Sequence, residues 1–260
     1  MPQNKLITFR IAIRKNLRTV MSFIDENYIL RVDGNAVEPT KDLICMFCAS
    51  KAAITKEHII PRWIFEKETD KFFNITLNGH DQTYNKSTIP ACDRCNAELL
   101  NSLEKTIQTL FSSGNMTNNS YTLENGEDVI RWLEIIDYKF HIMNISKRFL
   151  SPKNGDHIPY LKDFPLYILL PNKDYSPYQV LTEIRSVLKR ISVKRKVEKI
   201  NSLVIFTTSN KSRHFFHTLN DFIFLELPKY QLALFYFYKR EFDTPEEAHH
   251  AAMKIINKVY

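Results

Sequence analysis

The sequence predicts an α+β protein built from two parts, and three patterns within its 260 residues support this class. All four cysteines lie in two CxxC pairs in the first hundred residues. Apolar residues at helical spacing follow the second pair and predict a helix over 97–111. Short β-branched and aromatic runs beyond residue 160 predict strands in the second half of the chain.

The two cysteine pairs predict one tetrahedral zinc site. Each CxxC turn presents two sulfurs to one ion, and four thiolates match the geometry that Zn²⁺ prefers. The ligands would be Cys45, Cys48, Cys92 and Cys95. Two disulfides and two thioredoxin-like redox pairs are the alternatives. They are less favoured because the basic N-terminal stretch lacks the apolar run of a secretory signal, and neither pair lies in an expected βαβ unit.

The 43 residues between the pairs exceed what a zinc ribbon needs, and they include the adjacent Glu57 and His58. On an extended segment these side chains leave opposite faces, so one can reach a metal while the other faces a substrate. Asn96 follows the last cysteine and begins the predicted helix, where its amide oxygen would face a cation or cap the helix. The zinc clamp would bring the three residues together.

These residues resemble the HNH endonuclease family in its zinc-stapled ββα-metal form with two CxxC pairs. The resemblance covers about residues 43–110, just over a quarter of the chain, and rests on the order CxxC, Glu-His-Ile-x-Pro, CxxC-Asn. It is carried by Cys45, Cys48, the run 56–61, Trp63, Cys92, Cys95, Asn96, Leu103 and Glu104.

The resemblance implies a ββα-metal domain with a phosphodiester-cleaving site. His58 takes the position of the general base, Glu57 and Asn96 those of the ligands to a catalytic Mg²⁺ or Mn²⁺, and the cysteines those of the structural zinc ligands. The chemistry is consistent, since Mg²⁺ needs only one or two protein oxygens and a neutral imidazole accepts a proton near neutral pH. One departure is that Ser87 stands where the family's central asparagine is expected, with Asn85 two positions earlier.

Composition agrees with a nucleic-acid substrate. The chain has 36 Lys+Arg against 29 Asp+Glu, a formal charge of +7, and a positive surface attracts polyanions by counterion release. The densest basic patch lies outside the cysteine region, and its alternative interpretation is a solvated helix face. This patch comprises Arg185, Lys189, Arg190, Lys194, Arg195, Lys196 and Lys199.

The remainder of the chain predicts an accessory α+β domain. Apolar spacing predicts a helix over 129–149, and Thr244 followed by Pro245 predicts the start of a last helix. Strands are expected at 166–170, 202–207, 222–227 and 231–238. The chain would then divide into an N-terminal extension (1–40), the HNH domain (41–112), a polar linker (113–128) and the accessory domain (129–260).

Together these patterns predict a divalent-metal-dependent, cytoplasmic HNH endonuclease acting on DNA, with RNA as the alternative substrate. By analogy, proteins of this kind serve as effectors of mobile elements or of anti-phage defence. The accessory domain would bind substrate, a second protomer or a protein partner. The alternative function is a non-catalytic zinc module that binds nucleic acid or protein. No stretch is apolar and long enough to span a bilayer, so no membrane role is expected.

Overall fold

The computed structural model describes residues 2–29, 42–64, 74–77, 80–83, 86–114, 116, 121–150, 177–193, 197–211 and 215–259. Helices and antiparallel strands combine in these residues, which confirms the α+β class. The helices are α1 (Pro2–Ile24), α2 (Asn101–Ser112), α3 (Leu123–Leu150), α4 (Pro177–Ser192) and α5 (Pro245–Val259). The strands are β1 (Ile54–His58), β2 (Asn74–Leu77), β3 (His80–Thr83), β4 (Thr88–Cys92), β5 (Leu203–Thr207), β6 (Phe215–Thr218), β7 (Phe222–Leu227) and β8 (Leu232–Phe237).

Two compact units make up the chain, each assembled from separated segments. The first contains Gln3–Asn101 and Tyr138–Ser192, and the second contains Ser102–Asp137 and Val193–Tyr260. α3 contributes residues to both units, up to Asp137 in the second and from Tyr138 in the first. The boundaries of the functional domains stay a prediction. Among the described helices, none is both long and apolar enough to cross a membrane.

The first unit is built on the ladder between β1 and β4. The two strands pair antiparallel, with Ile54 opposite Cys92 at one end and His58 opposite Thr88 at the other. β2 and β3 form a separate antiparallel pair. A short π-helix, Arg94–Leu100, follows β4 and leads into α2, so the helix predicted over 97–111 begins about one turn earlier than expected.

An N-terminal helix that the sequence analysis did not predict completes the first unit. α1 buries one face, and that face follows the three-to-four-residue spacing of an amphipathic helix. Its buried residues are Phe9, Ile13, Val20, Met21 and Ile24. This spacing was the available signal, but the basic residues between the apolar positions obscured it.

The second unit contains a four-stranded antiparallel sheet in the order β5-β8-β7-β6. Alternate side chains of β8 contact two different helices, α5 on one face of the sheet and α3 on the other. Phe235 and Phe237 pack in a cluster with Ala248 and Ala252 of α5, while the Tyr236 hydroxyl donates to Glu134 of α3. The period of two in an extended strand explains why neighbouring residues meet different helices.

The predicted strands at 202–207, 222–227 and 231–238 are confirmed to within about one residue by β5, β7 and β8. β6 was not predicted, and the strand expected at 166–170 lies outside the described residues. The helix expected over 129–149 is confirmed but starts at Leu123. Thr244 caps α5 as expected, since its hydroxyl accepts a hydrogen bond from the Glu247 backbone at 3.3 Å.

Candidate metal centre and histidine site

The four cysteines converge on one point of the first unit. Their sulfurs all lie within 4.8 Å of one another, and the Cys48 and Cys92 sulfurs are 3.6 Å apart. Zn–S bonds of about 2.3 Å in a tetrahedron place sulfurs about 3.8 Å apart, so the cluster has the dimensions to hold a metal ion such as zinc. The four residues are free thiols gathered at one site, which favours one metal site over two disulfides or two separate redox pairs.

Backbone hydrogen bonds shape the first cysteine turn and attach it to the ladder. The Ala49 amide donates to the Cys45 carbonyl at 2.9 Å, and the Met46 amide donates to Pro90 of β4 at 3.0 Å. Ala49 adopts a left-handed conformation with φ of 59°, which lets the chain reverse within the turn. The two CxxC pairs are therefore brought together by the same strands that carry Glu57 and His58.

The crowded thiols perturb one another's ionisation. Hydrogen bonds from Cys45 and Cys95 hold the pKa of Cys48 well below its usual range. The pKa of Cys45 is raised to about 12, mainly because Cys45 shares a hydrogen bond with Cys48. Cys48 is therefore the first thiol of the cluster to ionise. Ionisation of all four thiols needs a cation that compensates their negative charge.

The residues within the first turn are clamped by aromatic side chains. Phe47 is fully buried, with its ring centroid 5.1 Å from that of Phe9 on α1 and 5.5 Å from that of Tyr138 on α3. The Tyr138 hydroxyl also donates a hydrogen bond to the Met46 carbonyl. The turn therefore rests on packed helices as well as on its own sulfurs.

Glu57 and Lys139 form a buried ion pair beside the end of β1. The Lys139 side chain is 1% exposed and that of Glu57 9%. The same ammonium donates to the His58 carbonyl at 3.0 Å. Sequence reasoning missed Lys139, and the only signal was a lysine between Tyr138 and Phe140 in an otherwise buried stretch of α3. A lysine in such a position is seldom fully buried unless it is paired.

The His58 imidazole is half-buried and projects from the other face of β1. Burial, followed by the positive charges of Arg62 and Lys139, lowers its pKa to about 4. The ring is therefore neutral near pH 7 and has a nitrogen that can accept a proton. Two nearby cations, of which Arg62 is exposed, make the surroundings suitable for an anion.

Asn96 lies on the face of the ladder that carries Glu57. Its amide nitrogen donates to the Thr55 hydroxyl at 3.0 Å, and that hydroxyl donates to the Ala91 carbonyl at 2.9 Å. Thr55 and Glu57 are two residues apart on β1, so their side chains leave the same face. The bond to Thr55 uses the nitrogen of the Asn96 amide, whereas a hard cation would take its oxygen.

Ser87, at the position expected for the family's central asparagine, is fully buried next to β4. Its carbonyl accepts a hydrogen bond from the Ile59 amide at 3.0 Å, directly after His58. Asn85 lies outside the described residues. Ser87 therefore fixes this part of the loop through its backbone, and the Lys139 ammonium contacts the carbonyl of His58 itself.

Part of the predicted basic patch lies on α4. Arg185 and Lys189 are exposed one turn apart, Arg190 is half-buried, and the neighbouring Ile184 and Leu188 are buried. Lys194, Arg195 and Lys196 lie outside the described residues. The helix therefore presents at least two cations to solvent, which suits both a phosphate contact and an ordinary solvated face.

All of these features except the basic patch lie on or against the β1–β4 ladder. The cysteine cluster occupies one end of β1, and His58 occupies the other, roughly 13 Å away at the usual rise of a strand. This region thus combines a cysteine cluster that could hold a metal ion, a neutral histidine, a buried carboxylate and several cations. Comparison of the chain with protein-family models, with curated proteins and with solved structures finds no match.

Proposed function

We propose that this chain is a divalent-metal-dependent HNH endonuclease that hydrolyses phosphodiester bonds in DNA. The observation that carries the proposal is the environment of His58. A neutral, half-buried imidazole at the end of a strand lies near Arg62 and Lys139, and the chain order of two paired strands followed by a helix agrees with the family that the sequence resembles.

In this proposal His58 is the general base. Its lowered pKa keeps the ring unprotonated at neutral pH, so a ring nitrogen can take a proton from the water that attacks phosphorus. Arg62 is exposed and would attract the phosphate and lower the cost of bringing the anion next to the protein. Lys139 holds the His58 carbonyl, and Ser87 holds the next amide, so the backbone that carries the imidazole is fixed, as in-line attack would require.

Glu57 and Asn96 supply the oxygens suited to Mg²⁺ or Mn²⁺. Lys139 contacts Oε1 of Glu57, and Thr55 contacts Nδ2 of Asn96. The second carboxylate oxygen and the amide oxygen are the donors that a hard cation would use in this proposal, although Glu57 leaves β1 on the face opposite His58. When bound, such an ion would stabilise charge that develops on the phosphate.

The cysteine cluster has a structural role in this proposal. A zinc ion bound by four cysteines has no open coordination position, so it would hold the strands and the following helix without contacting substrate. Exposed cations on α4, Arg185 and Lys189, would add phosphate contacts that position DNA or RNA without reading its sequence.

Cleavage of supercoiled plasmid in the presence of Mg²⁺ or Mn²⁺ tests the proposal. We expect the wild-type protein to cut, and His58→Ala to cut about 10²–10⁴ times more slowly while keeping its zinc and its melting temperature. The exposed His250 on α5 provides a matched control, because His250→Ala removes an imidazole elsewhere in the chain. Equal cutting by wild type and a zinc-loaded His58→Ala variant would exclude His58 as the base.

A second candidate function is a non-catalytic zinc module that binds nucleic acid or protein. The Glu57–Lys139 ion pair favours it, because an ammonium already neutralises the carboxylate that a catalytic ion would need. Such a module would bind DNA without cutting it, and His58→Ala would leave the affinity for DNA, measured by fluorescence anisotropy, unchanged. Cleavage that depends on His58 would exclude it.

A further inference from the structure

The positive charge of the chain is concentrated on two helices of the first unit, α1 and α4. α1 contains five basic residues and no acidic residue, and α4 contains three basic residues and one acidic residue. Their combined net charge is +7, which equals the net charge of the whole chain. The other residues are therefore neutral in total, so these two helices account for the charge that would attract a polyanion. The basic residues of α1 are Lys5, Arg10, Arg14, Lys15 and Arg18.

A hydrogen bond joins the two helices, although 178 positions separate its partners. The Arg14 guanidinium donates to the backbone carbonyl of Ser192, the last residue of α4, at 2.8 Å. Carbonyls in the last turn have no partner within the helix and carry the negative end of its dipole, so an arginine is a suitable donor to them. The Ser192 hydroxyl donates to the Lys189 carbonyl at 2.9 Å. Lys189 therefore belongs to the turn of α4 that Arg14 holds.

The cations of α1 lie away from the face that packs on the protein. Phe9 is buried, and its ring contacts Phe47 of the first cysteine turn. Arg18 lies nine residues later, or two and a half turns at about 3.6 residues per turn, so it leaves the opposite side of the helix. Arg14 and Lys15 are exposed as well. One side of α1 thus supports the cysteine turn, while its solvent side carries charge of a single sign.

Charge of one sign distinguishes this surface from an ordinary solvated helix face. Arg14 and Arg18 are four residues apart, a spacing at which like charges on a helix repel each other. Solvated helices usually offset such repulsion by alternating the two signs. α5 follows that pattern, with two glutamates in its first turn and two lysines further along. α1 does not, and a bound polyanion would supply the missing negative charge.

We propose that the exposed cations of α1 and α4 form one surface, the α1–α4 surface, that binds the phosphate backbone of double-stranded DNA. The inference rests on the proposed function and deepens it, because it names the surface that would hold the substrate. Contacts to phosphate carry no information about the bases, so this binding is independent of sequence. The surface comprises Arg14, Lys15 and Arg18 of α1 and Arg185 and Lys189 of α4.

An anionic lipid surface fits α1 less well than DNA does. A helix that inserts at a membrane turns its apolar face toward the lipid. The apolar face of α1 is instead buried in the protein, through residues such as Phe9 and Ile13. Among the described large apolar residues of α1, Ile7 and Ile11 are exposed. Two isoleucines offer little area for insertion, so the charge decides what this surface binds.

Fluorescence anisotropy of a labelled DNA duplex tests the proposal with the zinc-loaded full chain, without added Mg²⁺ or Mn²⁺ so that the DNA stays intact. Lys15→Gln/Arg18→Gln removes two exposed charges from α1. We expect about ten-fold weaker binding near 0.15 M salt. The slope of log affinity against log salt should become shallower by about two, since each phosphate contact contributes roughly 0.9. Arg185→Gln/Lys189→Gln on α4 should have an effect of similar size.

Two control variants isolate the contribution of this surface. Lys254→Gln/Lys258→Gln on α5 removes two exposed lysines at the same helical spacing, so the net charge changes equally and the affinity should stay close to that of wild type. Lys15→Arg/Arg18→Lys keeps both charges on α1 and should keep the affinity for DNA. Zinc content and melting temperature are measured for every variant. If the α1 variants do not fold, a wild-type salt slope shallower than about two contradicts the proposal, because it allows too few phosphate contacts.

The outcomes separate this inference from the proposed function. Lys15→Gln/Arg18→Gln protein that binds DNA as the α5 control does would overturn the inference. A loss of binding to phosphatidylserine vesicles but not to DNA would also overturn it and assign α1 to a membrane surface. Weaker DNA binding by this variant, with no cleavage of any nucleic acid by wild type, would support the α1–α4 surface and remove the nuclease. His58-dependent cleavage with an unchanged salt slope in this variant would keep the nuclease and remove the surface.

Discussion

The hydroxyl of Tyr138 donates a hydrogen bond to the backbone carbonyl of Met46, inside the first cysteine turn. The two residues are 92 positions apart, yet the contact is fully buried. Phe47, the next residue of the turn, packs against the same tyrosine ring. The geometry of the first cysteine turn therefore depends on α3 as well as on the sulfurs.

Tyr138→Phe tests this dependence. It removes only the hydroxyl and leaves the Met46 carbonyl without its donor, so we expect a loss of about 1–2 kcal/mol in the free energy of unfolding. Tyr121→Phe is the matched control, because the Tyr121 hydroxyl donates to the Leu203 carbonyl in the second unit. Chelator competition should extract zinc faster from Tyr138→Phe than from Tyr121→Phe, and equal rates would contradict the role assigned to α3.

Removing one sulfur should remove the metal. For Cys92→Ser we expect zinc content to fall from about one ion per chain to a small fraction, because a hydroxyl is a poor ligand for a soft site. The first unit should then lose its cooperative unfolding transition, since the binding energy of a structural zinc contributes directly to folding. Elemental analysis and circular dichroism measure both effects. Metal-free wild-type protein with an unchanged melting temperature would refute a structural role for the ion.

The lowered pKa of His58 predicts how stability depends on pH. Unfolded histidine titrates near pH 6.5, whereas burial lowers the pKa of folded His58 to about 4. Between these values the unfolded chain binds a proton that the folded chain does not, so the contribution of His58 to stability falls as pH drops from about 6.5 to 4. Urea unfolding of wild type and His58→Asn should therefore converge or cross in this window, and their difference should be constant above about pH 7.

The control for this titration is His250→Asn, which removes an exposed histidine from α5. Carboxylates titrate in the same acidic range in every variant, so only the difference between wild type and His58→Asn is diagnostic. A difference that does not change between about pH 7 and 4 would mean that the His58 ring is more accessible than the structure places it.

Asp128 should change stability with pH in the opposite direction to His58. Burial, followed by the neighbouring charges of Glu124 and Glu127, raises the pKa of Asp128 to about 6, although Arg131 acts the other way. The folded state therefore keeps a proton that the unfolded state releases, and this contribution to stability is lost as pH rises from about 4 to 6. We expect Asp128→Asn to raise the melting temperature at about pH 7.5 and to have no effect near pH 3.5. The exposed Asp243 provides the control, and a gain that is equal at both pH values would contradict the raised pKa.

Much of the fold could be predicted because its signals are local. β7 coincides with the expected 222–227 strand, and the cap at Thr244 needs only the three residues that follow it. α1 was missed because arginines and lysines stand between its apolar positions in the sequence, although Arg14, Lys15 and Arg18 are exposed and lie off the buried face. β6 was missed because Phe215–Thr218 is short and contains a histidine among its aromatic residues.

The candidate site likewise has residues that local sequence patterns predict and residues that only the fold reveals. Four cysteines in two CxxC turns predict their own convergence, since each turn delivers two sulfurs whatever the rest of the chain does. Lys139 could not be predicted, because 81 residues separate it from His58 and only tertiary packing brings α3 to the end of β1. The charge balance at Glu57 is therefore a property of the folded chain, which no local pattern records.

The cysteine cluster also bears on the register in which β1 pairs with β4, because Cys92 belongs to that ladder. Side chains alternate along a strand, so slipping this pairing by one position would turn His58 toward Lys139 and Glu57 toward solvent. Cys92 stands opposite Ile54, at the far end of the ladder from His58. A bound ion would thus fix the register of β1 against β4. That register decides which of two neighbouring side chains is buried and which faces outward.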